Sequence, residues 1–229
     1  MAGKDWKHEI EEQEMSLRLQ GITLSENDIQ EALNHILVSE KLQELAQEND
    51  FTETVLLQLH SWVMDGLLIR PKEGLPGEYR KVAIGIEGSK RGRAPFEDVP
   101  PLMKRFFDKT IVQKKNEHLI EFLARIHGEF QFIHPFRDGN GRLGRIMMNL
   151  FLIKNGYPIL VLPTSLSTMF NHALEMGHRG ECTLFARLLA ESTFKSLQIY
   201  EEAIGTKLLP SIEEATNFKV ADAPGLVSP

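Results

Sequence analysis

The 229-residue chain has 42% apolar residues, enough for one sizeable core, and a formal net charge of −6, which argues against nucleic acid as its main partner. Its single cysteine, Cys182, excludes an internal disulfide, and no Cys/His cluster has zinc spacing. Met1 to Gln20 is charged throughout and no apolar run reaches the ~18 residues of a bilayer span, so a cytoplasmic protein without a membrane partner is expected.

Residues 4 to 20, rich in Glu and Gln, are expected to form a first helix ending at Gly21. Ser25 reads as the N-cap of a second, with Asp28 favourable in its first turn and Ile29, Ala32, Leu33, Ile36 and Leu37 at helical spacing. Thr52 caps a third, with Val55, Leu56, Leu59, Trp62 and Val63 facing inward. From Tyr79 the period changes. Val82, Ile84 and Ile86 alternate, bounded by Gly77 and a turn-rich Glu87 to Arg93, which predicts a β-hairpin whose basic tip carries Lys90, Arg91 and Arg93. Val99, Leu102, Met103, Phe106 and Phe107 then give an amphipathic helix opening near Pro100.

Leu119, Phe122, Leu123, Ile126 and Phe130 recur on one helical face. Ile146 to Ile153 is apolar nearly all round, as a buried helix is, with Gly156 suited to its C-terminal turn and Pro158 beyond. Two further helices are expected over Ser165 to Met176 and Glu181 to Ile204. The tail from Pro210 to Pro229 has few large apolar residues and reads as loose or as an extended strap.

Between the two apolar helices lies His134-Pro135-Phe136-Arg137-Asp138-Gly139-Asn140-Gly141-Arg142-Leu143-Gly144-Arg145. Gly139, Asn140 and Gly141 fall at a helix N-terminus, where unpaired N–H groups and the helix dipole attract an anion. Arg142 and Arg145, three apart on the first turn, share one face and reach a polyphosphate. Asp138 is a hard oxygen ligand suited to Mg²⁺ shared with phosphates, and His134 is the group able to take a proton near neutral pH. Taken singly, the histidine reads as a cap, the glycines as a turn and the arginines as a solvated face; the joint spacing is what points to phosphate chemistry. The G-x-G-x-x-G at Gly139, Gly141 and Gly144 follows a helix rather than a strand and lacks the later acid, so it is not a dinucleotide fingerprint, and no G-K-[ST] marks a P-loop.

This stretch resembles the Fic family motif, H-x-F-x-[DE]-G-N-[GK]-R-x-x-R, at every fixed position, and the likeness extends over about Met15 to Tyr200. The resemblance implies an all-α Fic-type helical domain with one short β-hairpin flap. Its expected divisions are N-terminal helices over 1–50, a core over 51–205 and a tail over 206–229. It implies a protein adenylyltransferase that moves AMP from Mg·ATP to a Ser, Thr or Tyr hydroxyl of a target protein. His134 would be the catalytic base and Asp138 the Mg²⁺ ligand. Gly139, Asn140, Gly141, Arg142, Gly144 and Arg145 would bind the nucleotide, and Phe136 would anchor the loop. The flap residues Val82, Ile84 and Ile86 would dock the target by strand pairing.

Ser16-Leu17-Arg18-Leu19-Gln20-Gly21 resembles the family's inhibitory motif, [ST]-x-x-x-E-[GN], whose Glu pairs with the second motif arginine, here Arg145. Gln20 stands where that Glu is expected, which predicts a weakened brake with Ser16, Gln20 and Gly21 as regulatory residues. Phe170-Asn171-His172-Ala173-Leu174 departs from the tyrosine-bearing segment common in the family, leaving adenine contacts there in doubt. AMP removal, transfer of another phosphate-containing group, and a nucleotide-binding regulator without turnover stay open as alternatives, as does a homodimer.

Overall fold

A computed structural model describes residues 25–48, 50–67, 75–85, 92–160, 167–177 and 183–207, and side chains take up free N–H groups at the starts of the helices that follow Ser25, Thr52 and His118. The N-terminal helix expected over 4–20, the regulatory residues Ser16, Gln20 and Gly21, Ile86 of the flap with its basic tip at Lys90 and Arg91, and the tail from 208 lie outside the described residues.

Helix α1, Glu26–Glu48, opens on a reciprocal cap. The Asp28 N–H donates to Ser25 Oγ at 3.2 Å, and the Ser25 N–H donates to Asp28 Oδ2 at 2.8 Å. Its inward face is not the predicted one. Asn34, Val38 and Leu42 are buried, whereas Leu37 is 48% exposed. The reason lies in α2, Glu53–Val63, whose last carbonyls have no helical partner. Asn34 Nδ2 donates to Val63 O at 3.1 Å and to Asp65 O at 2.7 Å, while Gln30 holds Asn34 Oδ1 at 2.9 Å. A polar side chain on the inner stripe caps a neighbouring helix and rotates α1 away from its apolar periodicity. Helix α2 begins as expected, with Thr52 Oγ1 accepting the Val55 N–H at 3.4 Å.

Phe96–Asp98 forms a 3₁₀ turn that runs into α3, Val99–Arg105, with proline in the first turn, and then into a π-helical turn over Phe106–Thr110. Helix α4, Leu119–Ile133, opens on a second reciprocal cap, His118 with Glu121. Arg125 of α4 pins the preceding loop through Glu117 Oε1 at 2.7 Å and Oε2 at 2.7 Å and through the Thr110 carbonyl at 2.6 Å. Helix α5, Asn140–Lys154, is buried on most sides and ends at Asn155, with Gly156 at φ +78°. Helices α6, Ser167–Gly177, and α7, Thr183–Ile204, complete the order.

The buried helix α5 is the axis, with α1, α2 and α4 packed around it, α7 against α4, and α6 against α7. Phe106, Phe130, Phe136 and Phe185 fill the core beside Leu42, Leu56, Leu59, Ile126 and Leu143. No described helix is long and apolar enough to cross a membrane.

The expected hairpin is not formed among the described residues, which contain no strand. Residues 81–85 keep the alternation, with Val82 and Ile84 half-buried and Lys81, Ala83 and Gly85 exposed, so this limb is extended without a ladder. What joins it to residues 92–95 is a side chain, Arg80, described next.

Candidate active site

Helix α4 ends on His134, whose N–H still bonds Phe130 O at 2.8 Å while its own backbone turns left-handed at φ 49°. Such a conformation is uncommon without glycine, so the surroundings must hold it. Three contacts do so. Arg80 Nε donates to the His134 carbonyl at 2.7 Å, and the Arg80 N–H donates to Pro135 O at 2.8 Å. Phe136 is fully buried and stacked on the His60 ring, with centroids 3.7 Å apart and planes 11° from parallel.

His60 is a second tie. The Gly77 N–H donates to its Nδ1 at 2.8 Å, so the ring proton sits on Nε2 and is donated to Asp138 O at 3.0 Å. The loop then closes on Asn140. Its Oδ1 accepts the Phe136 N–H at 3.0 Å and its Nδ2 donates to Phe136 O at 2.8 Å. The side-chain amide expected in the phosphate cradle is therefore spent on the loop, leaving the backbone N–H groups for an anion. Gly139, at φ +77°, caps α5 because a Cβ there would lie 2.7 Å from Met64 Sδ.

The His134 ring has a defined direction. Its Nδ1 lies 3.3 Å from Gln131 O, a group that only accepts, so Nδ1 carries the proton and Nε2 keeps its lone pair. Burial, then the charge of Arg93, holds the imidazole down at about 4; Arg80 acts in the same sense, and the Gln131 carbonyl and Asp138 oppose it. The ring is neutral and able to accept a proton at neutral pH.

The charged groups cluster at the start of α5. The first helical bond there is Leu143 N–H to Gly139 O at 2.9 Å, which leaves the N–H groups of Gly141 and Arg142 ahead of it. Asp138 Oδ1 accepts the Gly139 N–H at 2.6 Å and lies 3.3 Å from Arg142 Nη2, with the Asp138 side chain 64% exposed. Arg142 Nη1 lies 2.9 Å from Glu31 Oε1 of α1, an ion pair by distance without the alignment of a hydrogen bond. Arg145 is exposed on the same face. His35 of α1 is held below its ordinary value by desolvation and by the charges of Arg145 and Arg142, which places α1 beside both arginines.

His134, Asp138, Gly139, Gly141, Arg142 and Arg145 thus lie together where α4 ends and α5 begins. Gly144 does not face that cluster: a Cβ on it would meet Gln131 Nε2 at 2.7 Å and His127 Nε2 at 2.9 Å, so it serves the α4–α5 crossing. Arg80, His60, Glu31 and Gln131 were not singled out by sequence. A histidine inside the apolar run Val55 to Val63 was the available signal for His60; Arg80 and Glu31 sit among ordinary surface charges and carried none.

Residues 50–152 match the model of the Fic/DOC family. The chain is similar to the protein adenylyltransferase Fic of Drosophila grimshawi, 32% identical over 164 residues, covering 68% of this chain and 31% of the relative. The chain therefore spans about a third of the length of the curated relatives it matches. Its fold resembles that of a Fic domain containing signaling protein from Bacteroides thetaiotaomicron, with a TM-score of 0.68, 22% identity, and 89% of this chain and 87% of that one covered. It also resembles Fic-1 from C. elegans, with a TM-score of 0.66, 21% identity, and 87% and 61% covered.

Proposed function

The chain carries a domain that belongs to the Fic/DOC family, and on that premise we propose that it transfers AMP from ATP to a hydroxyl of a protein substrate. The observation that carries this reading is the neutral His134, with Nδ1 tied to the Gln131 carbonyl and Nε2 open, beside a helix N-terminus bearing two arginines. His134 Nε2 takes the proton of the incoming Ser, Thr or Tyr hydroxyl as its oxygen attacks the α-phosphorus. The N–H groups of Gly141 and Arg142 face the α-phosphate, and the guanidinium groups of Arg142 and Arg145 hold the pyrophosphate that leaves.

Asp138 fits Mg²⁺. Its carboxylate is largely exposed and both its contacts fall on Oδ1, and among the described residues no group of three or more His, Cys, Asp or Glu gathers to enclose a metal. Asp138 would hold the ion together with phosphate oxygens and water, and the ion would supply neutralisation of phosphate charge.

Mass spectrometry of protein substrates after incubation with Mg·ATP tests the reading. An added AMP is expected, lost in His134→Ala by about 10²–10⁴-fold while ATP affinity is kept. A different added mass assigns another phosphate-containing group, and none removes the transferase reading. Regulation by Ser16 to Gly21 belongs to the same proposal. Restoring the carboxylate by Gln20→Glu should give a charge-assisted pair with Arg145 and lower transfer at limiting ATP. Equal rates for the two proteins would separate that segment from control.

A further inference from the structure

Arg80 is only 2% exposed, and burial lowers its guanidinium from the ordinary value. Among the described residues no carboxylate hydrogen-bonds it, and it feels Glu97 only through charge, which opposes the shift. Its charge is met by four backbone carbonyls: His134 O at 2.7 Å from Nε, Val82 O at 3.0 Å from Nη1, and Ile133 O at 3.3 Å from Nη2, which also bonds Ala94 O. Two of these carbonyls, of Ile133 and His134, lie at the C-terminal end of α4, where the helix leaves acceptors unpaired and its dipole favours a cation. A plain helix cap would stop there. Arg80 goes on to bind Val82 in residues 81–85 and Ala94 in residues 92–95, so one planar fork links both stretches to the residue bearing the base.

We propose that Arg80 is a positioning residue that fixes the His134 backbone and, through the same guanidinium, registers against it residues 82–85 and 92–95, the two stretches beside which an acceptor chain would lie. The inference rests on the adenylyl-transfer reading for its consequence, but not for its geometry. Arg80 also lines an open groove of about 560 Å³ with Leu57, Tyr79, Lys81, Phe96 and Pro100, so the fork stands between that surface and the base. Lysine keeps the charge but has no planar fork, and its ammonium does not span the four carbonyls.

Arg80→Lys is the test, made on the full chain. Transfer to the acceptor protein should fall at least about tenfold in kcat/KM, while ATP binding stays within about twofold. The imidazole ¹⁵N signals of His134, which report the Nδ1–H form in the unsubstituted protein, should broaden toward a mixture of tautomers. A change in overall stability alone does not move those signals. Unaltered ring signals with unaltered transfer overturn the proposal, and so does a parallel loss of ATP binding. Should Arg80→Lys fail to fold, hydrogen exchange in the unsubstituted chain decides: the Arg80 and His134 amides should open together, and independent opening overturns the coupling. If the unsubstituted protein transfers nothing, the transferase reading fails by itself, and the ring and exchange measurements still judge Arg80.

Discussion

At the scale of single residues, the loop is held by side chains with two or more simultaneous partners, so substitutions cost more than one contact each. Gly144 tests this outside the charged cluster. Alanine in an α-helix gains roughly 1 kcal/mol over glycine from backbone entropy. Here the added methyl would meet Gln131 Nε2 and His127 Nε2, and neither gives way easily. Gln131 Nε2 donates to Asn140 O at 3.0 Å, and the His127 ring stacks on Phe185 with centroids 5.1 Å apart. Overpacking costs about 1–3 kcal/mol, and shifting Gln131 also frees the Asn140 carbonyl, so the penalty exceeds the entropy gain. Gly144→Ala should lower stability by about 1–2 kcal/mol in urea titration. A neutral or stabilised variant would place slack at the α4–α5 crossing.

At the scale of elements, α1 reaches Arg142, one of the two arginines proposed to hold phosphates, which its predicted apolar face gave no reason to expect. Glu31 pairs with Arg142, whose side chain is 14% exposed, and a nucleotide phosphate must share or displace that contact. Such a partly exposed pair is worth about 0.2–1 kcal/mol. Glu31→Gln should therefore tighten ATP binding by up to about fivefold, measured by calorimetry, with little change in maximal rate. Weaker binding would instead make Glu31 an orienting partner of Arg142.

The same helix shows what was legible. Capping residues located the starts of α1 and α2 because they act on their own backbone. Periodicity located α4 and α5 because their burial follows their apolar residues. The inward face of α1 was hidden because Asn34 serves the carbonyls of another helix, and the described part of the expected hairpin, residues 81–85, is extended without a ladder because alternating exposure needs an extended chain but no partner strand. The motif located His134 and the two arginines that the proposed reaction uses. It gave no sign that the Asn140 amide would be consumed within the loop, since that depends on where the chain folds back.

At the scale of the whole molecule, the loop joins α2, the segment after it, α4 and α5, so the state of its histidines bears on global stability. Burial, as the leading cause, holds both His60 and His134 down at about 4, from an ordinary value of 6.5. As pH falls below about 6.5 the unfolded chain binds protons on these rings and the folded chain does not. Their stabilisation is therefore complete above that pH and is lost progressively as pH falls toward 4. Each ring contributes on the order of 3 kcal/mol over that window, a large part of the 5–15 kcal/mol typical of a domain. His35, also lowered, adds in the same direction. Glu117, held below the usual carboxylate range by Arg125, gives way only further into acid, so it does not account for a slope that begins near 6.5. Urea unfolding at steps from pH 7.5 to 5 should show stability falling with acid, with an uptake approaching two protons on unfolding. His60→Phe keeps a ring on Phe136 but does not titrate, and should remove about half of that slope while lowering stability at neutral pH through the lost bonds to Gly77 and Asp138. A curve flat between pH 7.5 and 5 would mean that these rings titrate in the folded protein as they do in the unfolded chain, and burial would then not be what holds them neutral.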